Sequence, residues 1–162
     1  MAQVDYFLKL DGIKGESQDK THKDEIDILS WSWGASQSGT THMGSGSGGG
    51  KAHFQDLNLV MFVGKEMTAL LQHLSTGKHI SKGTLVCRKA AGDNPLEYLK
   101  IEMKDLIISS FSTGGSGGED RVTYNCSINF GEYKVMYTEQ KPDGSKGASP
   151  EFAWDIAANE KK

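Results

Sequence analysis

Cysteine is nearly absent from this chain, and that already excludes two classes of protein. Cys87 and Cys126 each stand alone in a strand-like run, without the paired spacing of a zinc site or the density of a disulfide scaffold. Two reduced thiols are therefore expected. There is also no excess of base: 18 Lys and Arg stand against 21 Asp and Glu, a formal net charge of -3. A nucleic-acid partner, which needs a basic face, is not expected. No uninterrupted apolar stretch approaches membrane-spanning length, so membrane insertion is not expected either. The opening MAQVDYFLKL lacks a basic n-region, an apolar h-region and a small-residue cleavage site. Export by a cleaved signal peptide is thus not expected.

Catalytic constellations are missing in the same way. The five histidines, His22, His42, His53, His73 and His79, form no H-E-x-x-H pair and read as solvated side chains. Adjacent carboxylates such as Asp24 with Glu25, or Glu119 with Asp120, point apart on an extended chain and do not suit paired acid–base work. Gly44, Gly46 and Gly49 satisfy G-x-G-x-x-G, but a strand follows them where a dinucleotide fingerprint needs a helix. Lys51 is followed by Ala52, so a Walker A loop fails too, and no G-x-S-x-G elbow occurs. No catalytic, cofactor or metal residue is expected, and the chain does not read as an enzyme.

What is present is alternation. Val4, Tyr6, Leu8 and Leu10 share one face of a strand. In Glu25 to Trp33, Leu29, Trp31 and Trp33 fall on one face and Ile26, Ile28, Ser30 and Ser32 on the other. Thr84 to Lys89, Leu96 to Met103, Leu106 to Phe111, Val122 to Phe130, Tyr133 to Tyr137 and Phe152 to Ile156 behave alike, with His53 to Met61 a weaker case. From Gly64 to Thr76 the period changes. Met67, Leu70, Leu71 and Leu74 recur at helical spacing, and Gly77 supplies a stop. The expectation is a mainly β single domain over residues 1–162, a β-barrel of short antiparallel strands with one flanking amphipathic α-helix.

Three segments carry a resemblance. FLKLDGIKGESQDKTHKDEIDILSWSWGASQSG, STGGSGGEDRVTYNCSINF and EFAWDIA, taken in order, closely resemble the haemolysin-coregulated protein (Hcp) family of bacterial type VI secretion systems. The likeness covers essentially the whole chain. It implies a phage tail-tube-like β-barrel that assembles into a homohexameric ring, with rings stacked into a tube. It further implies a contractile sheath around the tube, a spike protein at its tip and effector proteins carried in the ring lumen. Such a subunit is cytoplasmic before assembly and is then secreted to the extracellular space or a target cell. Only a few residues follow Ile156, so a fused enzyme domain is not expected.

Site residues follow from this picture. Ser30 and Ser32 share a strand face, and small hydroxyls suit a lumen that holds diverse cargo; the alternative is that both face solvent or a polar seam. In STGGSGGEDR, Gly114, Gly115, Gly117 and Gly118 permit positive φ and close backbone approach at a protomer or ring junction. Glu119, Asp120 and Arg121 then set register by charge. The loop from Ser36 to Lys51, with Gly44, Gly46 and Lys51, reads as a segment reaching toward the next ring, or else as a flexible surface linker. A competing class, a monomeric β-barrel enzyme or binding module, is separated from this one by oligomer size.

Overall fold

Leu8 and Leu10 are buried while Lys9 between them is exposed, and this alternation orients most strands of the fold. The computed structural model describes residues 4–39, 50–89 and 95–162. Its elements run β1 (Val4–Leu10), β2 (Ile26–Ile28), β3 (Ser30–Ser32), β4 (Ala35–Ser36), β5 (His53–Phe54), β6 (Leu57–Phe62), α1 (Glu66–Thr76), β7 (Ile80–Lys89), β8 (Leu96–Gly114), β9 (Thr123–Tyr137), β10 (Glu151–Asp155) and β11 (Glu160–Lys161). The chain is mainly β with one helix.

Nine strands form one sheet in the order β11-β10-β9-β8-β7-β1-β2, with β6 joined to β9 and β3 to β6. β4 and β5 make a separate two-stranded pair. The strands are not all short, as the sequence suggested: β8 has 19 residues and β9 has 15. Each fuses two expected strands, and in β8 the chain runs on across a residue with unusual backbone geometry. That residue is Asp105, at φ 55°, and a further register shift falls between Ile108 and Ser110. β9 pairs with β6 over Thr123–Ile128 and with β10 over Glu132–Met136, so one long strand serves two neighbours. The weak strand expected over His53 to Met61 divides at Gln55 and Asp56 into β5 and β6.

A second correction falls at Leu29. Ile26 and Ile28 are buried, but Ser30 and Ser32 are exposed, and Trp31 and Trp33 pack against the core. The inward phase therefore switches within one strand-like run. The cause is a change of partner: β2 pairs with β1, β3 pairs with β6, and the Leu29 amide donates to the Val60 carbonyl at 2.8 Å. Leu29 itself is left facing outward.

The core gathers Leu8, Leu59, Met61, Leu85, Leu106 and Ile128 with many partners from both sides of the sheet. Burial of each such side chain contributes about 1.5–3 kcal/mol. α1 adds Leu70 to this cluster and packs on β8. At its start, the Lys65 amide donates to Glu16 Oε2 at 3.1 Å, replacing a side-chain cap. At its end, Gly77 takes φ 68° and its amide reaches back to the helix, as the sequence expected.

Candidate interaction surface

Three adjacent cross-strand rows define the surface opposite the core. The middle row, Trp31, Leu59, Cys126 and Phe111, turns inward. The rows flanking it must then turn outward. One is Ser32, Asn58, Ser127 and Ser110; the other is Ser30, Val60, Asn125 and Ser112. Small hydroxyls and amides thus cover the outer face of β3, β6, the first half of β9 and the second half of β8. Ser127 Oγ donates to Asn58 Oδ1 at 2.6 Å, and Asn125 Nδ2 to Ser112 Oγ at 3.4 Å. A hollow of about 260 Å³ opens among Ser30, Ser32, Asn58, Asn125 and Ser127. No outward strand position on this face is ionisable; Asp56, just before β6, supplies the charge at its edge.

Two loops leave opposite ends of the β6–β9 pair. At the Phe62–Thr123 end, the glycine hairpin turns back, and Arg121 stacks its guanidinium 4.0 Å over the Phe62 ring. Val63 and Val122 lie exposed beside it. The Glu119 amide donates to the Ser116 carbonyl at 3.2 Å. At the Ile128 end, Lys51 and Phe54 meet Asn129, Phe130 and Ile156 around a cavity of about 280 Å³. Trp33 stacks on Phe54 behind this end, Tyr133 packs edge-on against Trp33, and Trp33 Nε1 donates to the Gln55 carbonyl at 2.9 Å. Six aligned pairs separate the two ends, about 20 Å along the strands.

The glycines of the hairpin behave differently from the expectation. Gly114, Gly115, Gly117 and Gly118 show no positive φ, and an added methyl would meet nothing closer than Val122 Cγ2, 3.8 Å from Gly115. Nothing among the described residues requires them to be glycine. Gly44 and Gly46 lie outside the described residues.

The opposite flank of the sheet is closed instead of bare. Phe7 and Val86 are buried although they lie outside the main core cluster, because the segment from Gly15 to Glu25 is strapped across them. His22 stacks on Phe7 with ring centroids 4.4 Å apart. Its Nδ1 faces Glu25 Oε1 at 3.0 Å and its Nε2 faces Glu97 Oε1 at 2.6 Å. The solvated reading of His22 is therefore overturned: the residue is 8% exposed. Arg88 completes the clasp. Its Nη1 and Nη2 reach the two oxygens of Asp19 at 3.0 and 2.6 Å, and Nη2 also reaches Asp5 at 3.0 Å. The Arg88 hydrogen bond holds the Asp19 carboxyl well below the usual carboxylate range, against the opposing effect of burial. For Glu97, burial opposes the charge, but hydrogen bonds with Lys100 and His22 outweigh it and lower its pKa. Beyond this clasp, Lys20, Lys100, Lys146 and Glu151 border a groove of about 980 Å³. Arg88 and His22 escaped sequence reading because their partners lie 69 and 75 residues away.

Both cysteines are buried and unbridged, as the sequence suggested. Burial raises the thiol of Cys87 to about 11 and that of Cys126 to about 12, so both are poor nucleophiles at neutral pH. Among the described residues no helix is long and apolar enough to cross a membrane. Nor do three or more His, Cys, Asp or Glu side chains gather there as metal ligands.

The nine-stranded antiparallel sheet thus has one bare polar face, with loops at both ends of that face and a covered opposite flank. Comparison with known proteins shows the family. The family model described as type VI secretion system effector, Hcp, matches residues 7–137, and the chain belongs to that family. It is 50% identical over 157 residues to protein hcp1 of Pseudomonas aeruginosa, covering 96% of this chain and 97% of that protein. The crystal structure of Hcp1 from Salmonella typhimurium aligns over all of both chains with TM-score 0.83 and 38% identity. A type VI secretion system effector from Yersinia pestis aligns with TM-score 0.76 and 31% identity, over 93% of this chain and 99% of its own.

Proposed function

We propose that this chain is a structural subunit of a type VI secretion tube: one domain over residues 1–162 that closes as a barrel, assembles into hexameric rings and carries effector proteins inside them. The hydrogen-bonding pattern supports the barrel. β2 and β3 are joined through Leu29 alone, and β3 leads through β6, β9, β8 and β7 back to β1. The observation that carries cargo transport is the bare face of serines and asparagines around Ser30 and Ser32. It is exposed, nearly uncharged and built from short side chains, so it holds a guest by many weak hydrogen bonds and commits to none.

Ring closure is head-to-tail, each protomer presenting one surface and receiving another. Stacking uses the two ends of the β6–β9 pair. The glycine hairpin, Gly114 to Arg121 with Gly115, Gly117, Gly118, Glu119 and Asp120, stands at one end; the loop carrying Gly44, Gly46 and Lys51 leaves the other. Hairpin glycines that nothing among the described residues requires suit a backbone approached by a neighbouring copy. Glu119, Asp120 and Arg121 fix the register of that approach. A spike protein caps the tube, a contractile sheath surrounds it, and the subunit passes from the cytoplasm to the outside with the apparatus.

Light scattering behind a sizing column tests the assembly. A mass matching a hexamer is the expected result. A monomer that persists as concentration rises sinks the ring and favours an isolated binding module.

A further inference from the structure

Asp56 is the carboxylate at the edge of the bare face, and its setting differs from that of the ion-paired carboxylates of the sheet. Asp19 and Asp5 meet Arg88, Glu97 meets Lys100, and Glu132 and Glu151 meet lysines. Asp56 meets only neutral donors: Ser109 Oγ donates to its Oδ2 at 2.6 Å and Asn129 Nδ2 to its Oδ1 at 2.9 Å. Among the described residues it forms no ion pair.

Two consequences follow from these contacts. Each oxygen is fixed by one hydrogen bond, so the carboxylate is oriented before any guest arrives. An ionised carboxylate offers about four lone-pair sites, so roughly half of its accepting capacity is left, one site on each oxygen. One free site on each oxygen leaves room for the N–H donors of a guanidinium or ammonium group. The neighbouring strand positions are uncharged; the cations nearest this face are Lys51, which borders the cavity beside Asn129, and Arg121, which lies over Phe62 at the far end. Repetition around a symmetric ring places identical carboxylates at one level of the lumen, where their potentials add.

We propose that Asp56 is a cation-recognition point on the cargo face, so that the ring favours guest proteins presenting exposed arginine or lysine to that level of the lumen. This rests on the reading of the face as the cargo surface. In this scheme Ser30, Ser32, Asn58, Asn125 and Ser127 hold any polar guest, and Asp56 sets which charge the guest carries.

The test uses the assembled full-length chain and three fluorescent peptides of equal length: arginine-rich, glutamate-rich, and built of serine and glycine. Binding is read by anisotropy at low and high salt, with ring mass checked for every variant. The unaltered ring is expected to favour the arginine-rich peptide and to lose that preference as salt rises. D56N should weaken that peptide about tenfold and leave the neutral one unchanged. D56E retains the preference, and D56K reverses it toward the glutamate-rich peptide. Equal binding of the arginine-rich peptide by the unaltered ring and D56N overturns the inference, as does an unaltered ring indifferent to peptide charge. S32W separates this from the underlying reading. If it weakens all three peptides while D56N changes none, the cargo face stands and the role of Asp56 falls. If S32W changes none, the cargo reading falls and takes the inference with it.

Discussion

The two outer flanks of this sheet are built from the same strands by opposite rules. Over β1 and β7 the outward residues Phe7 and Val86 are apolar, and a strap clamped by Arg88, Asp19 and His22 covers them. Over β3, β6 and β9 the outward residues are mostly serine and asparagine, with Val60, Thr123 and Phe62, and among the described residues only Arg121 lies over them, at Phe62. The first flank buries area and locks it with charge, which is how a surface contributes to stability. The second forgoes that contribution. A polar face that adds little to folding is free to be shaped by what it must touch.

If that contrast is right, substitutions on the two flanks separate cleanly. The largest effect is expected at Gly15, where the strap passes so close to β2 that an added methyl would collide with the Glu25 carbonyl. G15A should cost about 3 kcal/mol of unfolding free energy in urea titration, since backbone atoms cannot step aside. R88A should cost about 2 kcal/mol; a fully buried pair would cost more, but Asp19 and Asp5 keep contact with water. An R88A protein as stable as the parent would mean that the clasp is ornamental.

Acid sharpens the comparison further. The native pKa of Asp19 lies below its ordinary value of 3.8, so its pairing stabilises the fold fully above that value, and the contribution is lost as pH falls below it. D19N should flatten this part of the acid limb in thermal melts, and an unchanged slope would contradict the assignment. The smallest effect belongs to the bare flank. S30A and S32A, alone or together, should shift stability by no more than about 0.5 kcal/mol. A large loss there would show that the serines support the fold after all.

Much of the fold was legible because alternation is a local signal. β1, α1 and the strands around Cys87, Tyr124 and Trp154 sit where the sequence placed them. Legibility failed where the chain changes partner. The phase switch at Leu29 comes from the handover between β1 and β6, and the fusion of two strands into β8 depends on Asp105 accepting a positive φ. The first leaves only a shift of apolar phase, from Ile26 and Ile28 to Trp31 and Trp33, which a single-strand reading splits between two faces; the second leaves no mark in hydrophobic period.

The candidate surface was half legible. Ser30 and Ser32 could be singled out, and Asn125, Ser127 and Asn129 repeat the same period-two pattern of small polar residues on β9. That they form one face depends on the registers with β6, which link residues 69 positions apart, as in Ser127 with Asn58. The clasp was illegible for the same reason. The hairpin glycines misled in the other direction, since their composition suggested a strained turn that this chain does not make.

The most direct test of the contrast is guest retention by the S32W ring. Effector proteins of the parent system are co-purified with assembled parent and S32W rings, and bound guest is quantified per ring at equal ring mass. The account predicts an intact ring with markedly less guest, because an indole fills the hollow between Ser30 and Ser127 without touching the clasp or the core. An S32W ring that retains every effector as the parent does would contradict it, and the bare face would then be plain solvent-facing sheet.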